Sequence, residues 1–356
     1  MKAQRIHDRR NAGHRRRARV PRKRGLGVPA RANIEKLAIF AGTGNRGLAE
    51  AIAADLGMDL GDVEISRFAS SEGYVRFRTS VRGIHAFVIQ GMCDPIDHMI
   101  MEQLIMIDAL KRASTRRVTA VCPLYPYSRQ DRKARGREPI TAKLVAELYE
   151  TAGADRIVSV DLHAPQIQGF FRVPFDHLTA LPVLADHVAS SLQDGFVIVA
   201  PDAGALRLAD KWARHLSLFH RMEADVAYLH KRRITDKRNL SETLAVVGDV
   251  KDRQCVLVDD MIDTAGTIVN GVDTLVRAGA REVVAAATHP ILSGSAVARL
   301  EASALRELVV TDTVPIGPEK DSPKITVQSI APLIAAAIKE IFAEGSVSTV
   351  FHGENV

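Results

Sequence analysis

The stretch "VLVDDMIDTAGT", Val256 to Thr267, sets two adjacent carboxylates, Asp259 and Asp260, at the end of a short apolar run. A turn of small and hydroxylated residues follows, Asp263-Thr264-Ala265-Gly266-Thr267. Side-by-side like charges are costly unless something binds them. The apolar run reads as a strand. Beyond Thr267, Ile268, Val272, Leu275 and Val276 recur at helical spacing until Gly279 closes the helix. In open parallel sheets, ligands sit at the carboxyl ends of strands. A small-residue turn at a helix N-terminus aims backbone N–H groups at an anion, and Thr264 and Thr267 add hydroxyl donors. The turn therefore suits a phosphate. The carboxylates cannot bind that phosphate, but they accept hydrogen bonds from sugar hydroxyls or from metal-bound water. A phosphorylated sugar satisfies both halves of the site. The bland alternative, a capped strand with solvated acids, suits a bare Asp-Asp pair better than it suits this whole stretch.

The elements that must position these groups alternate from Lys36 onward. "KLAIFAG", "AFVIQG", "RVTAVCPLYPY" and "RIVSVDLH" read as strands, and "GLAEAIAADLG", "IMEQLIMIDALKRA" and "ITAKLVAELYETAGA" as amphipathic helices. Such alternation predicts an α/β fold with a mainly parallel sheet flanked by helices. The plan then repeats. "FVIVAPDAGALRLADKWARHL" matches "LAIFAGTGNRGLAEAIAADL" at an offset of 160, with Leu48-Ala49-Glu50 on Leu208-Ala209-Asp210. Two related domains are expected to meet near Leu181, and a helix from Ala331 to Phe342 to cross back to the first. The expected organisation is a basic disordered extension over 1–33, domains over 34–180 and 181–345, and a tail over 346–356.

Composition narrows the class. The chain has 356 residues, long for one core, with 46% apolar and 25% charged residues, as in soluble globular proteins. No apolar run is long enough to span a bilayer. Cys93, Cys122 and Cys255 are widely spaced and odd in number, which predicts free thiols in a reducing cytoplasm. The net charge of +6 belongs to the N-terminus: residues 1–31 carry 12 Lys/Arg against Asp8 alone, leaving the remainder at −5. That segment has no apolar core of a signal peptide and no cleavage site. It reads as a solvated extension, or as the product of a start codon upstream of a real one near Val20 or Val28. No nucleic-acid partner and no membrane are inferred from it.

The stretch around Asp259 and Asp260 resembles the phosphoribosyl diphosphate (PRPP) binding motif, which phosphoribosyltransferases and PRPP synthetases share. Four further stretches decide between them. "YPYSRQDRKARGREPITAKL" (Tyr125 to Leu144) resembles the nucleotide-binding segment of the synthetases. "DLHAPQIQGFF" (Asp161 to Phe171) is similar to one of their signatures. "PDAGALR" (Pro201 to Arg207) resembles their pyrophosphate loop, and "HKRR" (His230 to Arg233) the head of their mobile catalytic loop. The likeness runs in order from about Lys36 to "GSVSTVF". It identifies a class I ribose-phosphate pyrophosphokinase built of two phosphoribosyltransferase-like domains. A phosphoribosyltransferase and a catalytically silent regulatory homologue are the alternatives.

The resemblance implies a reaction of ATP with ribose 5-phosphate that yields PRPP and AMP for nucleotide and amino-acid biosynthesis, with Mg²⁺ as cofactor. It implies Lys231 and Arg233, in a polar loop, as catalytic cations, and His163 and Asp202 as metal ligands. Asp202 also fits a helix N-cap. Phe68, Ser70, Glu72, Arg129, Gln130 and Asp131 are the implied ATP contacts. Asp259 and Asp260 take the ribose hydroxyls, while Asp263, Thr264, Ala265, Gly266 and Thr267 take the 5-phosphate. It further implies a homohexamer with ADP and inorganic phosphate as effectors, and a regulatory phosphate site at Ser80, Arg82, Arg137, Ser346 and Ser348. Two departures stand out. Where the family has Phe-x-Asp/Asn-Gly-Glu, this chain has Phe68-Ala69-Ser70-Ser71-Glu72, and Ala205 replaces a second Gly of the pyrophosphate loop.

Overall fold

A computed structural model describes residues 36–236 and 239–351, with backbone alone for 231–236 and 239–244. All of them lie in one compact unit, Glu35–Val356. The expected basic extension, 1–33, lies outside the described residues. Among these residues no helix is long and apolar enough to cross a membrane, and the three cysteines are free thiols.

The first half runs β1 (Leu37–Ala41), α1 (Arg46–Asp55), β2 (Val63–Arg67), β3 (Gly73–Phe77), β4 (His85–Ile89), α2 (Ile96–Arg112), β5 (Arg117–Val121), α3 (Thr141–Ala152), β6 (Arg156–Val160) and β7 (Phe175–Leu178). The apolar runs become β1, β4, β5, β6 and β7, a parallel sheet in that spatial order. β2 and β3 stand apart as an antiparallel ribbon. The second half runs α4 (Leu181–Ala189), β8 (Val197–Ala200), α5 (Leu206–His215), β9 (Asp225–Asp236), β10 (Asn239–Val247), β11 (Gln254–Ile262), α6 (Gly266–Arg277), β12 (Glu282–Pro290), α7 (Ala296–Ala302), β13 (Glu307–Thr311), β14 (Ile325–Gln328) and α8 (Ala331–Phe342). Its sheet has the order β10-β9-β8-β11-β12-β13-β14, parallel except where β10 meets β9.

Without β9 and β10, the order β8-β11-β12-β13-β14 repeats β1-β4-β5-β6-β7 strand for strand. The 160-residue offset seen in the sequence is therefore a repeat of topology, and α1 and α5 fall on each other residue for residue. The halves differ in their hairpins. In the first half the hairpin is a separate ribbon; in the second it extends the sheet.

Strands such as β4 and β8 are buried throughout, because helices cover both faces of a parallel sheet. The largest apolar core draws on both halves, joining Ile39 and Phe87 to Trp212, Val256 and the α8 residues Ile334 and Ile338. As expected, α8 crosses back onto α1. Asn45 adds a polar stitch: its Oδ1 accepts from Leu48 N at the start of α1, and its Nδ2 donates to the Asp312 carbonyl at 2.8 Å.

Two expectations are corrected. The polar run expected as a loop is the β9–β10 hairpin, in which Lys231 pairs with Leu244 and Arg233 with Glu242. Antiparallel pairing at a sheet edge satisfies the main chain without requiring an apolar face, so composition alone reads such a strand as a loop. The segment 346–356, expected as a tail, contains a 3₁₀ turn over Val347–Phe351 that seats Phe351 in the shared core. Burying that aromatic side chain outweighs the cost of ordering a short turn. Residues 352–356 lie outside the described residues.

Candidate active site

The carboxyl ends of β6 and β11 bring the two halves together. His163 follows β6, and its Nδ1 lies 2.7 Å from Oδ2 of Asp260 in β11. The backbone N–H of Asp260 donates to Asp259 Oδ1 at 2.9 Å, so the paired acids are tied to each other as well. Burial, then the charge of Asp260, push the Asp259 carboxyl up to about 8, and the charge of Asp202 adds to the rise. Burial also acts to raise Asp260, but the hydrogen bond and charge of His163 overcome it and hold that carboxyl below the usual range. The same hydrogen bond raises the His163 imidazole against its own burial. The acids are thus unequal: a partner from the other half favours the ionised form of Asp260, while burial and the neighbouring charge favour the protonated form of Asp259.

Beyond β11 the expected turn at a helix start is in place. Ala265 sits in the left-handed region at φ 60° and is the N-cap of α6. The first N–H groups of a helix have no intrahelical acceptor, so this turn presents donors at a helix start. A guanidinium nitrogen of Arg299 holds the Thr264 carbonyl at 2.9 Å. Asp263 is bound at 2.7 Å by Arg129, from the connection between β5 and α3. Burial pushes Asp263 up, and hydrogen bonds from Ser293 and Arg129 bring it below the ordinary value. Arg129 therefore faces the anion turn, with its Nε 3.0 Å from Met261 Sδ.

A buried polar group aligns the halves. Asp161 takes φ 38° at the end of β6, and its Oδ2 accepts from the Ala180 N–H and from Thr288 Oγ1 at 2.6 Å. The fully buried His289 ring lies 3.1 Å from both the Val160 and Asp161 carbonyls through Nε2, and 3.0 Å from Thr313 Oγ1 through Nδ1. Two carbonyl acceptors require the proton on Nε2. Burial lowers the pKa of this ring. Sequence reading missed Thr288 and His289; the available signal was a polar pair interrupting the apolar run of β12.

The remaining expected residues divide. Asp202 is the N-cap of the 3₁₀ turn Ala203–Ala205 leading into α5, accepting from Gly204 N at 2.7 Å and Ala205 N at 3.2 Å through Oδ1. β9 runs beside β8 only as far as the Tyr228–Ala200 pair, so the backbone of Lys231 and Arg233 overhangs the strand end that carries Asp202. Their side chains lie outside the described residues. Asp131 accepts from Gln166 at 2.6 Å, close to His163 in sequence, whereas Gln130 binds the Thr141 hydroxyl at the start of α3. Phe68, Ser70 and Glu72 lie at the tip of the β2–β3 ribbon. Ser70 Oγ donates to Glu72 at 2.7 Å, Phe68 is exposed, and among the described residues no hydrogen bond joins this tip to Arg129, Gln130 or Asp131.

The expected regulatory set does not assemble within one chain. Ser346 and Ser348, 2.9 Å apart through their hydroxyls, line a cleft of about 460 Å³ with Arg117, Arg156 and Asp176. Arg117 and Arg156 open β5 and β6, whereas Arg137 follows the opposite, carboxyl end of β5. Ser80 and Arg82 precede β4 and do not line the cleft.

Residues 37–153 match the sequence family described as the N-terminal domain of ribose phosphate pyrophosphokinase, and residues 228–352 the phosphoribosyl synthetase-associated domain. The ribose-phosphate pyrophosphokinase of Corynebacterium glutamicum is 50% identical over 90% of this chain and 98% of that protein. The one from Bifidobacterium longum is 53% identical over 85% of this chain and 89% of its own length. The crystal structure of phosphoribosylpyrophosphate synthetase from Mycobacterium smegmatis superposes with a TM-score of 0.81 at 47% identity, covering 87% of this chain and all of that one.

The raised Asp259 carboxyl sets a pH test. Unfolded, it titrates near the ordinary carboxylate value; folded, it holds its proton to about 8. The folded state binds the extra proton between those limits, so this group makes stability fall as pH rises through that window. Asp259→Asn removes the slope. In metal-free buffer at pH 8 it is expected to unfold at higher urea than wild type, by on the order of 1–3 kcal/mol, and to match it near pH 4. Equal midpoints at both pH values would contradict the buried, charge-opposed environment.

Proposed function

This chain belongs to the ribose-phosphate pyrophosphokinase family, and we propose that it runs the family's reaction on the residues gathered at the carboxyl ends of β6, β8 and β11. It makes PRPP. The substrates in this reading are ATP and ribose 5-phosphate. The 1-hydroxyl oxygen of the sugar attacks the β-phosphorus of ATP and forms the new P–O bond. The bond from that phosphorus to the oxygen bridging the α-phosphate breaks, AMP leaves with its electron pair, and the hydroxyl proton is released.

Asp263 to Thr267 hold the 5-phosphate with backbone N–H groups and hydroxyls. Asp259 and Asp260 accept from the ribose hydroxyls. The carrying observation is the 2.7 Å contact of His163 with Asp260, because it closes one half of the chain over the paired acids of the other. Phosphoryl transfer is mainly positioning and charge neutralisation. Lys231 and Arg233 supply positive charge to the transferring group from the overhanging β9. Phe68, Ser70 and Glu72 serve the adenine, and Arg129, Gln130 and Asp131 the rest of the nucleotide.

A metal is implied by the family, and the donor set fits one. With the Nδ1 proton directed at Asp260, the His163 Nε2 lone pair is available, as in carboxylate–histidine–metal arrangements. Burial and then the charge of Asp260 raise Asp259, and a cation relieves both. His163 and Asp202 would hold Mg²⁺, which neutralises the triphosphate when bound.

The opposed placement of Arg137 and Ser346 supports assembly, since only a neighbouring copy can complete such a set. We extend the reading to a homohexamer in the cytoplasm with ADP and inorganic phosphate as effectors, and to domains over 34–180 and 181–345.

Phosphorus NMR on protein mixed with ribose 5-phosphate, MgATP and inorganic phosphate tests the reaction. AMP and PRPP should appear in equal amounts and chelation should stop both; ADP as the main product excludes β-phosphorus attack. Lys231→Ala should lower kcat by about a hundredfold or more with the fold intact, and near wild-type turnover would remove Lys231 from the mechanism.

The nucleotide loop offers a separate test. Ser71, where the family has Gly, takes φ 71°. A serine there costs about 1 kcal/mol that glycine does not incur. Ser71→Gly should keep or lower the KM for ATP, whereas Ser71→Val, β-branched at positive φ, should raise it about tenfold. Equal KM values for the two variants would detach this turn from nucleotide binding.

A further inference from the structure

A second cluster of ligating groups lies away from the paired acids, where α5 ends. Residues Leu216–His220 leave α-helical geometry for one π turn before Arg221 closes it at φ 58°. In an α-helix, residues five apart point to different sides. The wider π turn brings them nearly into line, and single π turns recur at functional sites. Here it places His220 beside His215, with ring centroids 5.8 Å apart. Both rings face Asp186 of α4. Asp186 Oδ1 lies 3.0 Å from His215 Nε2 and 2.7 Å from His220 Nε2, and the three ligand atoms all lie within 4.8 Å of one another.

From this geometry we propose that Asp186, His215 and His220 form a binding site for a divalent transition ion of the Zn²⁺ class, separate from the catalytic metal. Two imidazoles and one carboxylate are borderline donors that suit Zn²⁺ and its neighbours rather than Mg²⁺ or Ca²⁺. Ligands around tetrahedral zinc stand about 3.4 Å apart, given bonds of about 2.1 Å. The two His–Asp186 separations, 3.0 and 2.7 Å, need to open by only about half an ångström, and the two imidazole nitrogens already lie within 4.8 Å of each other. The carboxylate can yield, because its side chain is 58% exposed, while His215 is 3% exposed and fixed in the core. That gradient leaves a fourth position open to water. On binding, each imidazole carries its proton on Nδ1 and offers Nε2 to the metal, replacing the two hydrogen bonds to Asp186. The ion would clamp the end of α5 to α4. The 10 residues of α5 put this cluster about 15 Å from the helix start beside Asp202.

Isothermal titration of the chelator-stripped full chain with ZnCl₂ tests the site, with three variants alongside. His220 and Asp186 are partly exposed, so His220→Ala and Asp186→Asn should fold, which circular dichroism checks. Each should weaken Zn²⁺ binding about a hundredfold or more, at or beyond the upper end of what loss of a group that only supports a ligand costs. His163→Ala should leave this binding event in place, which separates it from uptake at the catalytic centre. Zn²⁺ should raise the melting temperature of wild type and not of His220→Ala. No Zn²⁺ uptake by wild type, a loss under tenfold in folded His220→Ala, or loss in His163→Ala instead, overturns the assignment.

Discussion

Two carboxylates that cannot both be comfortable underlie this structure. Asp259 and Asp260 sit at one strand end, largely out of water, and the fold settles only one of them. His163 arrives from the other half and holds Asp260 ionised, leaving Asp259 with a raised pKa. That contact is only as good as the alignment of the halves. The shared apolar core gives the coarse alignment, since dispersion and burial have no direction. The fine setting comes from directional groups: His289 spanning the Val160 and Asp161 carbonyls at the end of β6, Thr288 on Asp161, and Asn45 on Asp312. Asp161 holds φ 38° for a non-glycine residue, a conformation that persists because both of these contacts surround it.

The duplication shows how the two halves diverge at equivalent turns. At the offset of 160, Gly42-Thr43-Gly44-Asn45 falls on Asp202-Ala203-Gly204-Ala205. In the second half that turn presents the Asp202 carboxylate. In the first half the equivalent turn is filled by the chain itself: the buried Glu102 carboxylate of α2 accepts from Thr43 N at 2.7 Å, from Thr43 Oγ1 at 2.9 and 3.0 Å, and from Gln90 Nε2 at 2.7 Å. An internal carboxylate occupies the place where an anion would meet backbone donors. The first half thereby becomes a scaffold that lends His163 and Arg129 to the second.

Much of this was legible in the sequence, and the boundary of legibility is physical. Strand–helix alternation, the glycine ends at Gly153 and Gly279, the 160-residue repeat and the anion turn are local or periodic patterns, and the fold keeps all of them. Asp202 could be read as an N-cap because capping is local, and it is one. What composition could not give was pairing. A polar run at a sheet edge looks like a loop until its partner strand is known, which is why β9 and β10 were missed. Nor could it give the direction of Arg129, whose partner Asp263 is 134 residues away, or the role of His289, which depends on carbonyls of the other half. Nor could it give the placement of the scattered Ser and Arg of the expected regulatory set, since chain order says nothing about which end of a parallel sheet each occupies.

The hairpins show how the repeated plan acquired a direction of action. In the first half, β2 and β3 form a ribbon outside the sheet that packs on the core through Val63, Ile65, Val75 and Phe77, and the polar contacts of Phe68 to Glu72 stay within the tip. In the second half, β9 is hydrogen-bonded to β8 and overruns it by eight residues after Tyr228, with β10 paired along that overrun. A strand continued past its neighbour is aimed by the part that remains in register, so the backbone of Lys231 and Arg233 leaves the sheet at the carboxyl end, beside Asp202 and one strand from Asp259. Placing cations by extending a sheet edge costs little core packing and needs no further loop.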